Sequence, residues 1–139
     1  MRNRELAVDY VTRAALRLKA IEVLYAGRGW ADVVMESQEA VELALKGVLR
    51  HFGVEPPRVH DVSAVLLSLG ERMEPDAHAD VECAAEVSRS LRRDRELAFH
   101  GAEDLTPSGF YGEADATRAR DGAQFCVRLA RRLVLGETD

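Results

Sequence analysis

Only 2 of the 139 residues are cysteine, Cys83 and Cys126, and they stand far apart with no paired-ligand spacing. That excludes a disulfide scaffold and a cysteine-built zinc site; the expectation is two buried free thiols in a reducing compartment. Proline occurs 4 times and aromatic residues make up 6% of the chain, and no stretch alternates as a strand does. Lysine occurs twice against 17 arginines, which reads as compositional bias before any preference for phosphate forks. No apolar run reaches the length of a membrane span, and Met1-Arg2-Asn3-Arg4-Glu5 does not open a signal peptide, so the expected setting is cytoplasmic. The net charge of −5 excludes a surface coated for nucleic acid and leaves room only for a local site. Gly27-Arg28-Gly29 lacks the following lysine and preceding strand of a phosphate loop. No two histidines fall on one helical face within reach of each other, so neither a metal nor a cofactor is expected.

What is present is a balanced globular composition, 47% hydrophobic and 31% charged, in a length suited to one domain over residues 1–139. Leucine, alanine, valine, arginine and glutamate dominate and favour helix. From about Arg4 to Tyr25, the residues Leu6, Tyr10, Ala14, Leu18, Ile21 and Tyr25 form a helical stripe that Gly27-Arg28-Gly29 breaks. A second helix is predicted from Trp30, taken as its anchor, to Phe52, with Val34, Val41, Leu45, Val48 and Phe52 on one face. Gly53 stops it and Pro56-Pro57 forbids a restart. A short helix follows from Val62 to about Arg72, capped by Asp61, with His60 closing the turn before it. After a loop around Pro75, a helix from Ala77 to Phe99 offers Val81, Ala84, Ala85, Val87, Leu91 and Ala98 to the core. Residues 101–112 read as loop, and Glu113 to Leu135 as the last helix. The expected fold is all-α, an antiparallel four-helix up-and-down bundle with one additional short helix.

The chemistry-bearing stretch is Arg92-Arg93-Asp94-Arg95-Glu96-Leu97-Ala98-Phe99-His100-Gly101, with four residues between Arg95 and His100. Arginine and histidine together can cleave a phosphodiester without a metal. The bare spacing is cheap in so arginine-rich a chain: Arg72 and His78, with five residues between them across the Pro75 loop, give a similar pattern by accident. Position separates the two, because Arg95 and His100 end a long helix and a glycine follows. Arg93 gives a second frame, with six residues before His100. On a regular helix Arg93 and His100 lie nearly on one face, whereas Arg95 and His100 differ by about 140° unless the helix unwinds near Phe99.

Gln38-Glu39-Ala40-Val41-Glu42-Leu43-Ala44-Leu45-Lys46-Gly47-Val48-Leu49, then His60-Asp61-Val62, resembles the second helix and following turn of HEPN-domain proteins. Arg95-Glu96-Leu97-Ala98-Phe99-His100-Gly101, then Pro107, Tyr111 and Glu113-Ala114-Asp115-Ala116, is similar to the same superfamily in order and spacing. The resemblance runs from about Ala31 to Val134. It implies a metal-independent RNA endonuclease, toxin-like and homodimeric, with Arg95 and His100 catalytic and Arg92 and Arg93 binding substrate. The alternative it implies is a non-catalytic accessory module that binds a nucleotide or a nucleotidyltransferase partner. The residues also have plain structural readings. Glu42 and Lys46 stand four apart, acid first, as a surface pair worth a few tenths of a kcal/mol (roughly). Gln38 falls on the Val34 side as a buried amide. Tyr111 is either a modification or stacking site or an aromatic packed on the bundle. Of the five arginines of the last helix, at 118, 120, 128, 131 and 132, Arg128, Arg131 and Arg132 fall in its last turns and read as solvated helix-end charge.

Overall fold

The computed structural model describes the backbone at residues 2–58, 61–100 and 106–138, and the side chains of these residues except 2, 71 and 92–100. Four long helices carry the fold: α1 (Arg2–Ala26), α2 (Trp30–His51), α4 (His78–His100) and α6 (Glu113–Leu135). Between them lie the short helices α3 (Ser63–Leu67) and α5 (Pro107–Phe110) and two single 3₁₀ turns at Gly70–Arg72 and Pro75–Ala77. No strand occurs among the described residues. The all-α helical bundle is as expected. α5 is an addition inside the predicted loop, started by Pro107 at its first position and by Thr106, whose hydroxyl accepts the Gly109 N–H at 3.1 Å.

Helix α2 is the centre of the molecule, packed most extensively on α1, then on α6 and α4. Its buried positions include Val34, Gln38, Val41, Leu45 and Val48, the predicted face, and extend to Ala40, Ala44 and Gly47 on the side of α1. The α1 stripe is displaced from the prediction. Ala7, Val11, Ala14 and Ile21 are buried, while Leu6, Tyr10, Leu18 and Tyr25 are only half-buried. The reason is the closeness of the helices. A Cβ on Gly47 would lie 2.7 Å from Val11 Cγ2 and 3.2 Å from the Ala7 carbonyl oxygen, so only small side chains fit along the seam.

The turns are built by local chemistry. Between α1 and α2, Arg28 takes a left-handed conformation (φ 61°). Trp30 packs edge-to-face on Tyr25 at 5.1 Å, with the Arg28 guanidinium 5.6 Å from the Trp30 ring centroid. At the end of α2, Gly53 (φ 77°) donates to the Arg50 carbonyl and Val54 to the Leu49 carbonyl, a Schellman stop at the predicted glycine. Cys126 is buried as expected, and burial, reinforced by Cys83, pushes its thiol up. Cys83 is exposed, correcting the reading of two buried thiols: it falls off the buried Val81/Ala84/Leu91 stripe, on the side of α4 that borders an open groove toward α6.

Candidate functional site at the end of the fourth helix

Helix α4 is fixed first at its start and middle. Its first turn carries Asp80, whose carboxylate receives the Arg132 guanidinium of α6 at 2.6 Å. Val81, Ala84, Ala85, Ser88 and Leu91 then point inward, and the hydroxyl at 88 does a specific job. Ser88 Oγ donates to Asp61 Oδ1 at 3.2 Å and accepts the Val62 N–H at 3.2 Å, while Asp61 Oδ1 also accepts the Ser63 N–H at 2.9 Å. Burial alone would raise the Asp61 carboxyl. The hydrogen bonds from Ser63 and Ser88 and the nearby Arg89 outweigh it and hold the group below the usual carboxylate range. Asp61 therefore starts α3, as predicted, but from one residue before the N-cap position, and it also ties the incoming segment to the middle of α4.

Beyond Leu91, α4 continues as helix through His100, without the unwinding at Phe99 that would bring position 95 round toward position 100. In register, position 93 stands about 20° from position 100 and position 95 about 140° from it. The side chains of Arg92, Arg93, Arg95 and His100 lie outside the described residues, as does His60. The surroundings are described. Alongside the preceding turns, a groove of about 240 Å³ between α4 and α6 is walled by Cys83, Val87, Leu91 and Ala119. Its rims are charge-balanced: Arg89 pairs with Glu86 at 2.7 Å and Arg118 with Asp115 at 3.0 Å. Helix α5 packs on α4 and α2 and is followed by Tyr111, which is 5% exposed and meets Phe110 edge-to-face at 5.0 Å. A ring so covered packs on the bundle and presents little surface for modification or stacking. Gly112 donates to Asp115 Oδ2 at 2.9 Å, which turns the chain into α6.

On α2, Gln38 is buried, with Nε2 3.5 Å from Glu42 Oε1, and Glu42 Oε2 lies 3.0 Å from Lys46 Nζ. The pair has the predicted spacing but is not a surface pair, since each side chain is only 16% exposed. Burial reduces the solvent screening that makes exposed pairs weak. Of the three helix-end arginines read as solvated, Arg131 and Arg132 are paired rather than free, and the earlier arginines of α6 are paired as well. Arg118 pairs with Asp115, Arg120 with Glu22 at 3.6 Å, Arg131 with Glu137 at 2.8 Å and Arg132 with Asp80. Arg120 also lies 4.1 Å from the Tyr25 ring centroid, and the Tyr25 hydroxyl is 2.7 Å from that of Thr117. Arg128 is exposed and has no carboxylate partner among the described residues.

Among the described residues no group of three or more histidine, cysteine, aspartate or glutamate side chains is arranged to hold a metal. No helix, among those residues, is long and apolar enough to cross a membrane. Two functional details escaped the sequence reading. The Ser88–Asp61 tie gave no signal, being made between elements. Helix α5 was announced by Thr106-Pro107-Ser108-Gly109, a cap followed by proline at the first helical position. Compared with known families, the chain matches the family described as HEPN domain over residues 7–135. No curated protein and no solved structure matches it.

Proposed function

As the chain belongs to the HEPN domain family, whose members are nucleotide-binding or ribonuclease-type helical modules, we propose that it is a metal-independent RNA endonuclease acting as a toxin-like homodimer. The observation that carries this reading is the family match over residues 7–135, which takes in the Arg92–Gly101 stretch and every long helix that supports it. In this reading His100 and Arg95 are catalytic and Arg92 and Arg93 bind substrate.

The chemistry follows from the residue types. An imidazole, which as a class titrates at about 6.5, accepts the proton of a ribose 2′-hydroxyl at neutral pH. The 2′-oxygen attacks the adjacent phosphorus, the bond to the 5′-oxygen breaks, and that oxygen takes a proton as it leaves. A 2′,3′-cyclic phosphate remains. The Arg95 guanidinium donates two hydrogen bonds to the phosphate oxygens as negative charge grows on them, and Arg92 and Arg93 hold the neighbouring phosphates. DNA is refused because it has no 2′-hydroxyl. Pairing two α4 ends in a dimer brings six guanidiniums of positions 92, 93 and 95 to one cleft. That concentrates positive charge locally on a chain whose net charge is −5.

The test is cleavage of single-stranded RNA by the purified dimer in EDTA. His100→Ala and Arg95→Ala are each expected to abolish cutting with helicity and dimerisation intact. Arg93→Ala decides the frame: if it silences the protein and Arg95→Ala does not, position 93 is the catalytic arginine, as the unbroken register of α4 favours. The net charge favours a second reading, an accessory module that binds a nucleotide or a nucleotidyltransferase. Equal inertness of wild type and His100→Ala on varied RNAs, with co-purification of such an enzyme, establishes that reading instead.

A further inference from the structure

The two cysteines, far apart in the sequence, meet across the α4–α6 seam. Two contacts fix how these helices lie. Val87 presses on Gly122, where an added Cβ would stand 3.8 Å from Val87 Cβ. The Asp80 carboxylate receives the Arg132 guanidinium at 2.6 Å. The helices are therefore antiparallel, and Cys83 and Cys126 lie between the two contacts. Cys83 precedes Val87 by four residues and Cys126 follows Gly122 by four. Each thus stands one turn from the Val87–Gly122 contact, in the same direction along the seam.

A step of four residues also turns a helix by about 40°. That rotation carries Cys126 toward the core, where it is fully buried, and Cys83 toward the groove of about 240 Å³, where it is exposed. The thiols remain near each other: charge on Cys83 adds to the burial that pushes the Cys126 thiol up. A disulfide needs Cβ atoms about 3.5–4.5 Å apart, a spacing that the backbones reach one turn away. Ala119 and Gly122 leave the α6 wall of the groove without bulk, and the groove gives α4 room to turn Cys83 inward.

We infer that Cys83 and Cys126 form a peroxide-driven disulfide that staples α4 to α6 and fixes the helix on which the candidate site is carried. Cys83 is the thiol a hydroperoxide reaches first, because it is the exposed one. Its sulfur takes one peroxide oxygen as the O–O bond breaks, which yields a sulfenic acid and, from hydrogen peroxide, water. The Cys126 sulfur then attacks the Cys83 sulfur. The S–S bond forms as the S–O bond breaks, and the hydroxyl leaves with the Cys126 proton as a second water. The two thiols have lost two electrons and the peroxide has gained them. Burial keeps Cys126 protonated and out of reach of the oxidant, so it resolves the reaction and does not start it. A thiol reductant reverses the bridge.

The experiment is oxidation of the full chain with hydrogen peroxide, followed by thiol titration in denaturant and a peptide map without reductant. Both thiols are expected to disappear, the intact mass to fall by two hydrogens, and the peptides holding Cys83 and Cys126 to appear joined. Dithiothreitol is expected to restore both thiols. The oxidised chain is expected to unfold at a higher temperature than the reduced one, since the bridge constrains the unfolded state. Cys83→Ser, a change at an exposed position, is expected to leave Cys126 unreacted under the same treatment. Cys126→Ala is expected to stop at the Cys83 sulfenic acid, which dimedone traps. The inference is overturned if both thiols survive, if the joined peptides link Cys83 of two copies, or if Cys83 runs on to the sulfinic acid with Cys126 still free. Loss of the Cys126 thiol in Cys83→Ser at the wild-type rate overturns it as well.

Discussion

Gly47 and Gly122 both sit where a neighbouring helix presses a valine against bare backbone, yet the two contacts are made differently. At Gly47, an added Cβ meets Val11 Cγ2 at 2.7 Å, the Ala7 carbonyl oxygen at 3.2 Å and Tyr10 Cβ at 3.3 Å. Backbone of α1 stands in the way, and it cannot move without shifting the helix. At Gly122, the nearest atoms all belong to Val87, the closest at 2.9 Å, and the groove of about 240 Å³ lies beside them. The second clash meets a single side chain that borders open space; the first also meets backbone, which nothing local can move. The α1–α2 seam is a closed joint, and the α4–α6 seam has slack. The candidate site hangs on the looser of the two, where a small adjustment of α4 is tolerated.

That difference can be broken experimentally. Gly47→Ala is expected to cost the most, since overpacking of about 1–3 kcal/mol outweighs a helix-propensity gain of about 1 kcal/mol. Denaturant unfolding measures it, and a neutral result would show that the seam yields. Ser88→Ala comes next, at about 1–2 kcal/mol, because it leaves the buried Val62 N–H without its acceptor. The same unfolding curve reports it, and Ser88→Thr, which keeps a hydroxyl, is expected to recover part of the loss. Gly122→Ala is expected to stay within about 0.5 kcal/mol of wild type, as Val87 gives way and the helix gains propensity. A cost equal to that of Gly47→Ala would erase the distinction between the seams.

The smallest effect is one of pH. Burial and the nearby Arg4 hold the His51 imidazole below its ordinary value of 6.5. With the folded value depressed, the unfolded chain takes the proton first as pH falls. The contribution is therefore present above the ordinary pKa and is lost as pH drops below it. Stability measured from pH 8 downward (roughly) is expected to decline more steeply in wild type than in His51→Gln. Parallel curves would remove His51 from the account.

The long helices and their punctuation could be read from the chain because their signals are local. Gly53 ends α2 in the predicted manner, and Val34, Val41, Leu45 and Val48 face inward as their spacing requires. Which side of α1 is buried could not be read so well. Ala14 and Ile21 are buried as predicted, but of the rest Leu6, Tyr10 and Leu18 are the larger apolar residues and the seam that must admit Gly47 selects Ala7 and Val11 instead. That is a property of two helices together. The same holds for Arg120 and Arg132 of α6, whose partners Glu22 and Asp80 come from α1 and α4. The Arg92–His100 pattern was visible as a motif with a helix under it, while its side chains lie outside the described residues.

The most direct test of the central proposal is the chemistry of the RNA ends. Wild-type protein incubated with single-stranded RNA in excess chelator is expected to leave 2′,3′-cyclic phosphates, detected by mass spectrometry of the fragments, and His100→Ala to leave the RNA whole. Fragments that carry plain 3′-hydroxyl ends, or identical cutting by the His100→Ala variant, would contradict it.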